Sequence, residues 1–89
     1  MNSIIKLFKA LSLETRMNMI LELSRGELSV NQIAEGTGME QSHVSHHLKQ
    51  MKESRIVTCR LKGKKRMYSL NADTIEPIIA FAQLHVNAE

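Results

Sequence analysis

The sequence contains few aromatic residues, a single cysteine and no long apolar run. Its 89 residues include two Phe, one Tyr and no Trp, and Cys59 is the only cysteine. One cysteine cannot close a disulfide within the chain, and no apolar leader pattern opens it, so we expect a reducing, cytoplasmic location. No stretch approaches the roughly 20 apolar residues that cross a bilayer, so we expect no membrane partner.

Catalytic motifs are also missing from the sequence. It has no Ser-His-Asp arrangement with supporting context, no Gly-rich loop that would cradle phosphate, and no paired-carboxylate motif. We therefore predict that the chain is not an enzyme and needs no cofactor.

The scarcity of aromatic residues limits the core that the chain can build. A core must be assembled from Leu, Ile, Val and the six Met residues, within a length that is only marginally stable as one domain. Oligomerisation is a general way for such a small domain to bury more apolar surface. We predict that residues 1–89 form a single domain and that this domain is a homodimer.

Basic residues are concentrated in one segment. Residues 49–66 contain eight Lys or Arg and one acidic residue, a net charge of +7. Residues 1–48 contain four basic and five acidic residues, and residues 67–89 contain three acidic residues and no basic one. This distribution is typical of a surface that binds a polyanion such as nucleic acid. The alternative is a charged surface that is merely solvated.

Apolar spacing and capping residues predict three helices before this segment. Residues 3–11 have apolar side chains at helical spacing and predict the first helix. Ser12 is a suitable N-cap for a second helix, which we expect to end at Gly26. Ser29 and Gln32 have the spacing of a capping box, which predicts that a third, short helix begins at Ser29.

The next segments predict a helix-turn-helix followed by a hairpin. Gly36–Gly38 is expected to form a tight turn before a fourth helix over about residues 41–53, and two helices joined in this way form a helix-turn-helix. Two β-type runs, Ile56–Leu61 and Arg66–Leu70, flank the four-residue tip Lys62–Lys65 and predict a basic hairpin. A helix-turn-helix followed by such a hairpin is a winged helix.

The C-terminal segment predicts a last helix. Residues 73–88 have this pattern, although Pro77 favours a regular helix that begins only at Pro77 itself. The helix is apolar nearly all round, so we expect it to be buried against something beyond its own domain. The predicted fold is mostly α with a small β-hairpin, in the order α-α-α-α-β-β-α.

Four segments resemble the ArsR/SmtB family of bacterial and archaeal repressors. Residues 8–16 are similar to the family's opening signature, F-K-A-L-S-x-x-T-R, and Gln41–Lys49 is similar to its recognition helix. Lys62–Lys64 and Tyr68–Leu70 match its wing and the following strand. The resemblance implies a repressor whose first and last helices, over residues 1–11 and 73–89, form a dimer on a pseudo-palindromic operator in double-stranded DNA. Many members of the family release DNA when a metal or a small oxidant binds.

The resemblance and the helix pattern together predict the binding residues. The polar side chains on the face opposite Val44 and Leu48 would enter the major groove, and His47 would pack against the buried side. The wing, residues 61–67, would contact phosphate or a minor groove. The predicted DNA-binding residues are Gln41, Ser42, His43, Ser45, His46, Lys49, Lys62, Lys64, Lys65 and Arg66. The predicted dimer residues are Ile4, Ile5, Phe8, Ile78, Ile79, Phe81 and Ala82. Arg16 is expected to form an internal salt bridge.

The sequence departs from the family at both of its usual metal sites. Ser29 and Asn31 stand where metal sensors carry two cysteines, and soft ions require those thiolates. His85 has no second histidine near it in the last helix, and one imidazole does not make a tetrahedral zinc site. We predict no metal site. Cys59 is then a candidate redox switch in basic surroundings, or simply a small buried apolar residue.

Two other functions remain open from the sequence. One is a repressor gated by a ligand or by oxidation, through Cys59 or a degenerate metal site. The other is a winged-helix module that binds an acidic protein. The small polar side chains of the fourth helix favour DNA, because a protein-docking face would be expected to carry aromatic or Leu anchors.

Overall fold

A computed structural model describes residues 2–88 as five helices and three strands. The helices are α1 (Asn2–Ser12), α2 (Glu14–Leu23), α3 (Val30–Thr37), α4 (Gln41–Glu53) and α5 (Ile75–Asn87). The strands are β1 (Leu28–Ser29), β2 (Val57–Lys62) and β3 (Lys65–Leu70). The predicted winged helix-turn-helix is confirmed, with one short strand added before α3. Within this part of the chain, no helix is long and apolar enough to cross a membrane.

The core is aliphatic and includes residues from all five helices. Its fully buried side chains are Met19, Ile20, Ile33, Val44, Leu48, Met51, Ile56 and Val57. Burial of each such side chain contributes about 1.5–3 kcal/mol. Three of them, Val44, Leu48 and Met51, lie along one side of α4. This packing fixes the rotation of α4 about its axis and turns its opposite side to solvent.

The sheet differs from the prediction in its number of strands and in its turn. Its order is β1-β3-β2, all antiparallel, and Leu28 of β1 pairs with Tyr68 of β3. In the hairpin, Lys62 pairs with Lys65, so the tip has two residues and the predicted four-residue tip is wrong. The first turn residue, Gly63, has a φ of 65°, and two-residue hairpin turns need positive φ at this position.

The ends of α1 and α2 also differ from the prediction. The Ser12 hydroxyl donates to the carbonyl oxygen of Lys9 at 2.9 Å, so Ser12 ends α1 and does not cap α2. Leu13 occupies the N-cap position of α2, and its side chain makes no capping hydrogen bond. α2 ends at Leu23, and Gly26, with a φ of 147°, lies in the turn that follows.

The start of α3 is as predicted, but its end is not. The capping box is confirmed: Gln32 N donates to Ser29 Oγ at 3.3 Å, and Ser29 N donates to Gln32 Oε1 at 2.9 Å. The predicted tight turn at residues 36–38 is wrong, because α3 continues to Thr37. Gly36 lies inside the helix, where an added Cβ would be 2.6 Å from Glu22 Oε2, and Gly38 ends it with a φ of 74°.

α5 begins at Ile75, two residues before the expected start. Pro77 lies in its first turn, where a missing N–H leaves no helical hydrogen bond unmade. Two residues of α5, Ile75 and Ile79, are buried, at 3% and 5% exposure. Ile79 is therefore a core residue of its own protomer, which corrects its predicted place in a dimer surface.

Candidate nucleic-acid interface

α4 presents a continuous polar surface. Its buried side is formed by Val44, Leu48 and Met51, each 0% exposed. Successive residues turn by about 100° round a helix, so these three side chains lie on one side of α4 and leave the opposite side free. The side chains of α4 that were predicted from the sequence to bind DNA are all exposed: Gln41, Ser42, His43, Ser45, His46 and Lys49. We call these six residues the polar face of α4.

The N-terminus of α4 is open. Glu40 occupies the N-cap position and makes no side-chain capping hydrogen bond. The first backbone N–H groups of the helix are therefore not satisfied by a cap, and the helix dipole adds partial positive charge there. The Glu40 carboxylate opposes an approaching phosphate, so this helix end is a weaker anion site than one with a serine cap.

The hairpin carries a second exposed surface, which is cationic. Lys62, Lys64, Lys65 and Arg66 are all exposed on the wing. Lys62 and Lys65 are direct cross-strand partners, and like charges in that position destabilise a hairpin that has no counter-ion. The wing therefore concentrates positive charge where an anion would relieve repulsion.

One basic side chain of the hairpin is already neutralised by an ion pair. Arg60 contacts Glu27 through Nε at 2.5 Å and through Nη2 at 2.8 Å. The Arg60 hydrogen bond and charge hold the pKa of Glu27 below its usual value. The pair ties β2 to the segment just before β1. Arg60 is thus part of the hairpin's support and separate from the four exposed cations of the wing.

Arg16 on α2 forms hydrogen bonds with two side chains of α4, and the prediction that it forms an internal salt bridge is wrong. Its Nε donates to His47 Nδ1 at 3.4 Å, and its Nη2 donates to Gln50 Oε1. Both acceptors are neutral side chains of α4. His47 is half-buried, as predicted, and burial, followed by the charge of Arg16, lowers its pKa.

Gln50 connects this support to the polar face. Its Nε2 lies 3.4 Å from His46 Nε2, one helical turn earlier. The sequence interpretation missed both Arg16 and Gln50 as supports. The available signal was the i, i+4 spacing of His46 and Gln50, which places the two side chains side by side on a helix.

Cys59 is half-buried in β2, directly opposite Tyr68 of β3. Val57 on the same strand is 2% exposed, whereas Leu61 is 69% exposed. The apolar face expected for this strand is thus buried at the base of the hairpin and solvated near its tip. Burial, and then the neighbouring Cys59, raise the pKa of Tyr68.

Ser29 and Asn31 stand where metal sensors of the resembling family carry two cysteines. Ser29 Oγ accepts the capping hydrogen bond of α3, and Asn31 is exposed. Across residues 2–88 there is no group of three or more His, Cys, Asp or Glu side chains placed to hold a metal ion.

The predicted dimer residues fall into two groups. Ile4, Ile5 and Phe8 of α1 are 62%, 55% and 52% exposed, and Phe81 of α5 is 71% exposed. Ala82 is also exposed. Ile78 is half-buried, and Ile79 is buried as described above. Leu84 and Val86, at 65% and 59% exposure, extend the apolar surface of α5.

Comparison with known proteins identifies the family. The model of the bacterial regulatory protein family arsR matches residues 14–58, from the start of α2 into β2. The arsenical resistance operon repressor of Staphylococcus xylosus is 35% identical over 72 residues, which cover 81% of this chain and 69% of that protein. The transcriptional repressor SdpR of Bacillus subtilis is 30% identical over 80 residues, which cover 90% of this chain and 89% of SdpR.

A solved structure agrees with this assignment over almost the whole chain. It is the homodimeric winged helix-turn-helix DNA-binding domain of a Mycobacterium bovis protein, with a TM-score of 0.85 and 26% identity. The match covers 97% of this chain and 80% of that domain. These relatives are regulators, in agreement with the prediction that the chain is not an enzyme. The chain has a helix-turn-helix whose second helix is polar and exposed, a basic wing, and relatives that are regulators. It is therefore a winged-helix transcriptional regulator and belongs to the arsR family.

Proposed function

We propose that the chain is a homodimeric, sequence-specific repressor that binds a pseudo-palindromic operator in double-stranded DNA. α4 is the recognition helix, and the wing contacts the DNA beside it. The observation that carries this proposal is the uniform exposure of the polar face of α4 beside a cationic hairpin. The Staphylococcus and Bacillus relatives, which are named as repressors, support the direction of regulation.

The polar face of α4 has the chemistry needed to read bases in the major groove. The amide of Gln41 can pair with adenine through a donor and an acceptor, and the hydroxyls of Ser42 and Ser45 reach base edges or phosphate. Small side chains at the serine positions let the helix approach the groove floor. Lys49, further along the same surface, is suited to a phosphate contact, which positions the helix without reading sequence.

The wing has the chemistry of a backbone contact. Its four exposed cations, Lys62, Lys64, Lys65 and Arg66, surround a tight two-residue turn. Phosphate oxygens would relieve the repulsion between Lys62 and Lys65 described above. Such contacts provide affinity and salt dependence, and they carry little sequence information.

A second copy of the chain accounts for the exposed apolar side chains of α1 and α5. Ile4, Ile5 and Phe8 on α1, with Phe81 and Leu84 on α5, are all more than half exposed. A monomer rarely leaves so many large apolar side chains in water on its two terminal helices. The homodimeric Mycobacterium domain supports the same assembly. Two recognition helices would then meet two half-sites about 34–36 Å apart.

The proposed repressor lacks the metal sites that are usual in its family. Ser29 and Asn31 offer a hydroxyl and an amide where thiolates are needed, and the Ser29 hydroxyl already caps α3. Gating by oxidation would depend on Cys59, which is half-buried. No specific contact among the described residues favours that gate, or a protein-docking role, over the DNA-binding function.

Fluorescence anisotropy on the chain's own promoter tests the proposal. We expect the wild-type protein to bind one promoter segment at least about 10³-fold more tightly than random duplex, with a steep loss of affinity as salt rises. Gln41→Ala should weaken promoter binding and leave random-duplex binding unchanged. Asn18→Ala, which removes an exposed amide on α2, is the control and should change neither. Absence of duplex binding at low salt would exclude the proposal.

A further inference from the structure

The guanidinium of Arg16 joins α2 to the recognition helix through two side chains. Its Nε donates to His47 Nδ1 at 3.4 Å, and its Nη2 donates to Gln50 Oε1. Arg16, His47 and Gln50 are all partly buried. The arginine therefore acts on the side of α4 next to the core, and its departure would break both hydrogen bonds.

The contact with Arg16 determines which way the Gln50 amide points. Because Oε1 of Gln50 faces the guanidinium, its Nε2 faces the other way and lies 3.4 Å from Nε2 of His46. An amide nitrogen can only donate a hydrogen bond. His46 Nε2 must then be the acceptor, and in the neutral ring the proton lies on Nδ1.

His46 belongs to the polar face of α4. Its ring is exposed, and Ser42, one turn earlier on the same face, is exposed as well. With Nε2 engaged by Gln50, the ring has one hydrogen-bond donor left, the Nδ1–H group. In the major groove, N7 of guanine or adenine is the acceptor that both purines present.

We propose that Arg16 is a positioning residue for sequence reading, which acts through Gln50 to hold His46 as an Nδ1–H donor to a purine N7. This inference rests on the proposed function, because it assumes that the polar face of α4 enters the major groove. Arg16 itself does not touch DNA in this scheme. Its role is to remove the freedom of the Gln50 amide and the His46 ring before DNA binds, which raises affinity by preorganisation.

The chain offers a matched control for Arg16. Arg25, two residues after the end of α2, is exposed. Arg16→Met and Arg25→Met each remove one positive charge and keep an unbranched side chain. A difference between the two variants therefore reports the contacts of Arg16 and not its charge alone.

Nuclear magnetic resonance of the imidazole nitrogens, without DNA, tests the orientation of His46. We expect the Nδ1–H form of His46 in the wild type and in Arg16→Met a mixture of the two neutral forms, with Arg25→Met like the wild type. If Arg16→Met does not fold, Gln50→Met interrupts the same connection and leaves Arg16 in place. An Nε2–H ring in the wild type, or a ring that no variant alters, overturns the proposal.

Binding to operator duplexes with single 7-deazapurine substitutions tests the contact with N7. We expect one position per half-site where the loss of N7 weakens wild-type binding about tenfold, the size of one specific hydrogen bond. Arg16→Met should bind the unmodified operator more weakly than Arg25→Met, by up to about tenfold, with a smaller further loss at that position than in the wild type. Random-duplex affinity should be equal for the two variants.

Two results would overturn this part of the inference. One is an equal loss of operator affinity in Arg16→Met and Arg25→Met. The other is the absence of any 7-deazapurine position that distinguishes the wild type from Arg16→Met. A wild-type protein that does not prefer the operator removes the proposed function and the N7 contact with it. The nitrogen spectra would then still decide whether Arg16 orients His46.

Discussion

Asn71 donates a hydrogen bond from its side-chain Nδ2 to the backbone carbonyl oxygen of Arg55 at 3.0 Å. Arg55 follows α4 and has a φ of 61°, a left-handed conformation that is unfavourable for a residue with a Cβ. The Asn71 Oδ1 accepts from the backbone N–H groups of Asp73 and Thr74 at the approach to α5. One side chain therefore connects the end of α4, the base of the hairpin and the start of α5.

Replacing Asn71 by Ala should destabilise the protein by about 1–2 kcal/mol, because one acceptor and two donors lose their partners. Urea unfolding at a fixed protein concentration measures the change. Asn18→Ala, at an exposed position on α2, should stay within about 0.5 kcal/mol of the wild type. Equal stability of the two variants would contradict a structural role for Asn71.

The wing should supply affinity without specificity. We expect the double variant Lys64→Ala, Lys65→Ala to weaken binding to all duplex sequences equally. Each lost phosphate contact should reduce the slope of log affinity against log salt by ~0.9. The control, Lys9→Ala with Arg25→Ala, removes two exposed charges elsewhere and should leave the slope nearly unchanged. Relaxed specificity at particular base pairs in the wing variant would mean that the wing reads sequence.

Phe81→Asp should give a folded monomer that no longer binds the operator. Phe81 is 71% exposed in the protomer, so the carboxylate harms the dimer surface and not the core. Ile79→Asp should instead unfold the chain, because Ile79 is 5% exposed. Gln83→Asp, about 200° round the helix from Phe81, is the control and should remain a dimer. Sedimentation that shows an intact Phe81→Asp dimer would remove this part of α5 from the interface.

His47 should make the protein less stable as the pH falls below about 6.5, the pKa of an unperturbed imidazole. Its pKa is lowered in the folded protein by burial, by Arg16 on α2, and by the neighbouring His46 and His43. Below about pH 6.5, the pKa of histidine in the unfolded chain, the unfolded chain takes up a proton that the folded chain resists. The free energy of unfolding therefore decreases as the pH decreases. It levels off once the pH passes below the folded pKa.

Urea unfolding from pH 8 to pH 5 measures this effect of pH. His47→Gln should lose less stability than the wild type over that range, because the group that resists protonation is gone. His85→Gln, on α5, is the control and should follow the wild type. The expectation is wrong if the wild type and His47→Gln have parallel curves.

The protein should bind its DNA equally well with and without zinc, cadmium or arsenite. Ser29 and Asn31 stand where thiolates would be required, and within residues 2–88 no group of side chains around His85 is placed to complete a tetrahedral site. Calorimetry should detect no stoichiometric metal binding tighter than about micromolar, roughly −8 kcal/mol. A tight site with one metal per subunit, abolished by His85→Ala, would restore a metal-sensing role.

Several elements could be predicted from the sequence because they depend on neighbouring residues. The capping box of Ser29 and Gln32 needs only a spacing of three positions, and it is formed as predicted. The bounds of α4, residues 41–53, follow from its apolar stripe. The same stripe predicts which side chains of α4 are exposed, since a helix that buries one side must present the other. The segment of high positive charge likewise predicts an exposed cationic wing.

Other features depend on which surfaces meet, and these were decided by the tertiary structure. β1 is only two residues long and exists because Leu28 pairs with Tyr68, so no local pattern could predict it. Gly36 is helical where a turn was expected, and an added Cβ there would lie 2.6 Å from Glu22 Oε2 unless that side chain moved. Ile79 is buried within its own protomer, although α5 also carries large exposed apolar residues such as Phe81 and Leu84.

The support of the candidate site was likewise hidden in the sequence. Arg16 is separated from its partners His47 and Gln50 by more than 30 positions. Periodicity and charge can show that a side chain is polar and which side of its helix it occupies. They cannot show which acceptor it will face after packing. The sequence by itself determined the surface of α4 that faces solvent, and only the tertiary contacts of Arg16 with His47 and Gln50 decided how α4 is held.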